Sequence, residues 1–167
     1  MTDQEPGIDP EFIALPLRDL ADAALTQARA LGAQHADFRA ERLRGQQIRL
    51  SDGTPQTLFD ADDTGLAVRV VVDGTWGFAS TVDLTTDAAA HAARQAVEVA
   101  KVAAAMNTEP IELAPEPGYG DVTWVSAYEV DPFTVSVPDK VAVLAQWSAA
   151  ALAGQSPLVS DVRPLAV

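Results

Sequence analysis

The chain has 167 residues, 48% of them apolar and 21% charged, with 11 prolines, 10 glycines and no cysteine. That composition suits a globular protein of ordinary domain size and excludes disulfides, thiolate nucleophiles and cysteine-ligated metals. Lysine and arginine number 11 against 24 acids, a net charge of −13, which argues against nucleic acid or an anionic membrane surface as partner.

Residues 1–15 mix acids, prolines and a glycine without periodicity and read as a flexible N-terminal arm. From Pro16, apolar residues at Leu17, Leu20, Ala21, Ala24, Leu25, Ala28 and Leu31 recur at steps of three and four, and Gly32 stands just past the end. Those signals predict a helix of about four turns. The period then changes to two. Phe38 to Leu43 alternate as a half-polar strand, expected to break near Gly45 and to resume through Ile48 and Leu50.

Asp52-Gly53 is a strong hairpin signal, because a type I′ turn needs two residues tolerant of positive φ. Thr54–Phe59 is expected to return antiparallel, and Asp62-Asp63-Thr64-Gly65 to make a second turn. Leu66–Val72, β-branched and almost wholly apolar, is the best candidate for a central strand. Asp73-Gly74 turns into a last strand over Thr75–Ser80.

Thr85 opens a second helix, with Ala89, Ala93, Ala96, Ala100 and Ala103 on one seam, small enough to lie close on a sheet. Asn107 is a plausible terminator. Residues 109–135, with four prolines and two glycines, hold Tyr119, Trp124, Tyr128 and Phe133 in an irregular segment. A third helix begins near Ser136–Asp139, where Ser and Asp three apart resemble a capping box, and ends at Gly154. The fold class predicted is α+β, an antiparallel β-meander with helices packed on one face. No segment reaches the roughly 18 consecutive apolar residues of a membrane span. The N-terminus carries acid where a signal peptide carries base, which points to the cytoplasm.

Candidate chemistry is sparse. His35 and His91 stand far apart, without cysteines, and read as surface or capping histidines and not zinc ligands. Asp60–Gly65 resembles half of a calcium loop, but Val71 stands where the bidentate Glu is needed. No Gly-x-Ser-x-Gly, Ser-x-x-Lys or phosphate-cradling glycine loop occurs. Trp76 and Phe78, flanking Gly77 in one strand, mark either a close backbone approach at the glycine or a strand lining a ligand groove. Trp124 and Tyr128 mark either a lid over the core or a partner-binding surface. These four aromatics are the candidate peptide- or partner-contacting residues. No catalytic or metal-binding residue is assigned.

The run Gly65-Leu-Ala-Val-Arg-Val-Val-Val-Asp-Gly-Thr-Trp-Gly-Phe-Ala-Ser80 resembles the N-terminal domain of the TldD/PmbA family, the zinc metallopeptidases formerly described as modulators of DNA gyrase. The resemblance extends to Ala36–Glu41, Ile48–Gly53, the helix after Leu84, Tyr119–Tyr128 and the helix ending near Leu152. The Trp in Thr75-Trp-Gly-Phe is more similar to the TldD branch. The resemblance implies a cytosolic bacterial peptidase acting on unfolded or precursor peptides, assembled as a two-chain complex around an internal cavity. It also implies zinc held by a His-Glu-x-x-x-His helix and a cysteine in a later part of a longer chain.

This chain contains none of those ligands, so no cofactor is assigned to it. Residues 16–154 are read as the family's N-terminal domain, and 155–167 as an irregular tail and a candidate truncation point. The expected role is non-catalytic: building the cavity wall and meeting the remaining domains or a TldD/PmbA-family partner chain, with unfolded peptide as substrate. The alternative is a stand-alone interaction module that pairs with a full-length family member and modulates it.

Overall fold

A computed structural model describes residues 8–153 and a two-residue strand at 165–166. The element order is α1 (Pro10–Ile13), α2 (Leu17–Ala30), β1 (His35–Ser51), β2 (Thr54–Val72), β3 (Thr75–Thr81), α3 (Thr86–Ala104), a 3₁₀ turn (Pro132–Thr134), α4 (Val137–Ala153) and β4 (Leu165–Ala166). The sheet order is β3-β2-β1-β4, so the α+β class and the antiparallel meander hold. The stretch 16–154 contributes to two compact units. One comprises Gly7–Arg42 and Thr64–Val125, and the other is built on Leu43–Asp63 and the described residues from Ser126 onward.

In the first unit, local signals set the element ends. Gly32 takes φ +90° after α2, and the amides of Gly32 and Ala33 donate to the carbonyls of Arg29 and Ala28. That pairing is a Schellman motif, which only a residue free of a β-carbon makes without strain. Thr85 caps α3 by accepting from the Ala88 amide at 3.2 Å. Asp73 and Gly74 adopt φ +49° and +67°, which joins β2 to β3 in a tight turn. Their ladder pairs Val68 with Ala79, Arg69 with Phe78 and Val71 with Trp76.

Strand alternation sends Leu66, Val68, Val70 and Val72 to one face, where they are buried with Leu20, Ala24 and Ala28 of α2 and the alanine seam of α3. Each buried Leu or Val contributes about 2 kcal/mol on leaving water, and each alanine well under half of that. The seam includes Ala92 beside the expected Ala89, Ala93, Ala96 and Ala100, whereas the expected Ala103 is only half-buried. Gly77 faces it: a β-carbon there would collide with the Ala96 carbonyl and come within 2.8 Å of the Ala100 β-carbon. The close-approach reading of Gly77 therefore holds.

Three expectations are corrected. First, β1 runs unbroken through Gly45. Second, Asp62–Gly65 is not a turn but part of β2, which extends over 19 residues. None of the four adopts positive φ, in contrast to Asp52 and Gly53 at +47° and +77°. The long hairpin closed by that single turn keeps them extended. Third, part of the arm expected over 1–15 is helical. Asp9 caps α1 by accepting from the Glu11 amide at 2.8 Å, and Arg42 binds Asp9 at 2.7 Å and Glu11 at 3.2 Å.

In the second unit, α4 starts as the Ser–Asp spacing predicts. The Ser136 hydroxyl donates to the Asp139 carboxylate at 2.6 Å and accepts from its amide at 3.3 Å. Leu144 packs with Ile48 and Leu50, flanked by Val137, Val141 and Ala145. Within the stretch read as an irregular tail, β4 pairs antiparallel with β1, Leu165 opposite Arg49 and Ala166 opposite Ile48. Gly154, the predicted stop of α4, and the rest of the tail lie outside the described residues.

Candidate functional site

With one face of β1–β3 committed to the core, alternation places His35, Asp37, Arg39 and Glu41 of β1 on the opposite face. Ala67 and Arg69 of β2 and Trp76 and Phe78 of β3 share it. Asp37, Arg39, Glu41, Ala67, Arg69 and Phe78 line a shallow cavity of about 260 Å³.

Asp37 is the hub of the polar part. Its Oδ2 accepts from Arg69 Nε at 2.8 Å and lies 3.4 Å from His35 Nε2. The Arg69 guanidinium stands 4.6 Å from the centre of the Trp76 ring, a cation–π contact. His35 meets the same ring edge-on at 6.2 Å. The carboxylate thus orients Arg69, and Arg69 and His35 together fix the indole. Phe78, opposite Arg69 in the ladder, is 57% exposed. Arg39 is exposed and has no acidic partner among the described residues.

The arrangement offers two aromatic surfaces, an oriented guanidinium and an open arginine. Sequence reasoning chose Trp76 and Phe78 but passed over Asp37, Arg39 and Arg69. Arg69 carried a usable signal: one charge inside the apolar run Leu66–Val72 requires that one face of that strand stay open.

Trp124 is 83% exposed and Tyr128 50% exposed. Neither makes a hydrogen bond or ring contact among the described residues. His91 sits on α3 within 3.4 Å of Arg94 Nη2. No three histidine or acidic side chains among the described residues converge as a metal site.

Residues 36–100 match the family model described as PmbA/TldA metallopeptidase domain 1, which does not separate the TldD branch from the PmbA branch. Two crystal structures share the fold. One is a proposed modulator of DNA gyrase from Bacteroides thetaiotaomicron VPI-5482, at 19% identity and TM-score 0.65, covering 89% of this chain and 33% of its own. The other is a proposed modulator of a DNA gyrase from Thermotoga maritima MSB8, at 19% identity and TM-score 0.58, covering 89% and 32%. This chain thus spans about a third of the length of the structures it resembles. No curated protein matches the sequence. No helix among the described residues is long and apolar enough to cross a membrane.

Proposed function

Because residues 36–100 match the model of the first domain of the PmbA/TldA metallopeptidases, we propose that the chain is the non-catalytic, assembly-forming domain of a cytoplasmic zinc peptidase acting on unfolded peptides. Its task is to meet the catalytic domains or a family partner chain and to contribute to the wall of the peptide-holding cavity. The observation that carries this reading is α4. The helix is apolar on nearly every side, a pattern normal for a buried helix. Yet only Leu144 and Ser148 are buried, and Val143, Trp147 and Leu152 are exposed. Leu43, Leu58 and Phe59 of the hairpin are exposed as well. Exposed apolar area on this scale favours a further protein surface over water.

The test pairs two assays. Purified chain alone should show no chelator-sensitive hydrolysis of an unfolded peptide, and light scattering should detect its complex with a full-length PmbA/TldD-family protein. Val143→Asp with Trp147→Asp should abolish that complex while leaving the fold intact by circular dichroism. Zinc-dependent hydrolysis by the chain alone, or a strict monomer that ignores the full-length protein, would overturn the proposal.

A further inference from the structure

A second cavity of about 260 Å³ lies in the unit that contains α4, lined by Arg44, Gly45, Gln46, Ile48, Phe133 and Lys140 among its residues. Two cations converge on one ring there. The Arg44 guanidinium stands 4.4 Å from the centre of Phe133, and Lys140 Nζ stands 5.9 Å from it. Lys140 also donates to Gln46 Oε1 at 2.5 Å. Neither cation has a carboxylate partner among the described residues, in a chain where acids outnumber bases 24 to 11.

The acids beside Phe133 and Lys140 in sequence make local bonds. Asp131 accepts from the Phe133 amide at 2.8 Å, and Asp139 is held by Ser136 at 2.6 Å. Lys140 moreover stands in the first turn of α4, where the helix dipole repels a cation. Two like charges drawn to one aromatic ring repel each other, and an anion between them relieves that repulsion.

We propose that this cavity is a binding site for the carboxylate of an acidic side chain in an extended polypeptide. Arg44 would take the carboxylate through its planar fork, Lys140 would add the second charge-assisted bond, and Phe133 and Ile48 would pack against the aliphatic stem. A singly charged carboxylate fits better than a phosphate. The lining is largely apolar, and the chain's −13 charge opposes multiply charged anions. The proposal stands on this geometry alone and does not require the peptidase assignment.

The probe is blocked glutamate (N-acetyl, C-amide) titrated into the full chain and followed by amide nuclear magnetic resonance. Saturable shifts are expected at Gly45, Phe133 and Lys140. Blocked glutamine, the neutral isostere, should bind about tenfold more weakly, as should Arg44→Gln or Lys140→Gln toward glutamate. Arg49→Gln, at an exposed arginine on the same strand, should leave binding unchanged. Glutamine binding as well as glutamate, undiminished affinity in both the Arg44 and Lys140 variants, or inorganic phosphate binding more tightly than glutamate would each overturn the assignment.

Discussion

Gly77 of β3 lies directly beneath Ala100 of α3, so close that a β-carbon on the glycine would come within 2.8 Å of the alanine's own. This contact sets the distance between helix and sheet in the first unit. A larger residue at either position would have to lift α3 off Val68 and Val70, which are fully buried under it.

Gly77→Ala should therefore destabilise the protein by about 3 kcal/mol, the overpacking range for a rigid backbone contact. Urea denaturation would show a lower midpoint at unchanged slope. Gly118→Ala is the control, since nothing lies within 4 Å of a β-carbon there, and it should shift the midpoint little.

The Ser148 hydroxyl is buried without a hydrogen-bond partner among the described residues. Burying such a group costs about 1–3 kcal/mol relative to an apolar replacement. Ser148→Ala should thus raise stability by about 1 kcal/mol, readable as a higher urea midpoint. A loss of stability would mean that the hydroxyl has a partner after all.

Asn107 ties the end of α3 to the β2–β3 turn. Its Nδ2 donates to the Gly74 carbonyl at 3.0 Å and to the Thr75 hydroxyl at 2.8 Å. Its Oδ1 accepts from the Glu109 amide at 3.1 Å. Asn107→Ala should cost about 2 kcal/mol and speed hydrogen exchange at the Ile111 amide, which bonds the same Gly74 carbonyl at 2.8 Å. Unchanged exchange there would show that the turn holds without Asn107.

Asp37 and Arg69 form a half-exposed pair, so their direct worth to folding is small, about 0.5 kcal/mol in a double-mutant cycle. Their effect on Trp76 should be larger. Asp37→Ala releases Arg69 from the indole, and the near-ultraviolet circular dichroism of Trp76 should weaken while the urea midpoint moves little. A stability loss well above 1 kcal/mol would assign the pair a structural role instead.

Some of this molecule was legible residue by residue. The turns at Asp52-Gly53 and Asp73-Gly74, the glycine end of α2, the Thr85 and Ser136 caps and the alanine seam are all local. Each is specified by the conformational freedom or hydrogen-bonding reach of neighbouring side chains. At Gly77 the residues left close approach and a ligand groove both open, and the packing of α3 decides for close approach.

What only the tertiary structure decided is pairing between distant residues. Asp62–Gly65 has the composition of a turn, yet the hairpin ladder keeps it extended, since continued pairing outweighs a weak local preference. Asp37 meets Arg69, and Arg44 and Lys140 meet the Phe133 ring, pairings that no local periodicity encodes. The sequence by itself determined where the backbone turns and which faces are apolar. Tertiary structure decided which charges share a surface, because that depends on strand register and on the packing of helices far away in the chain.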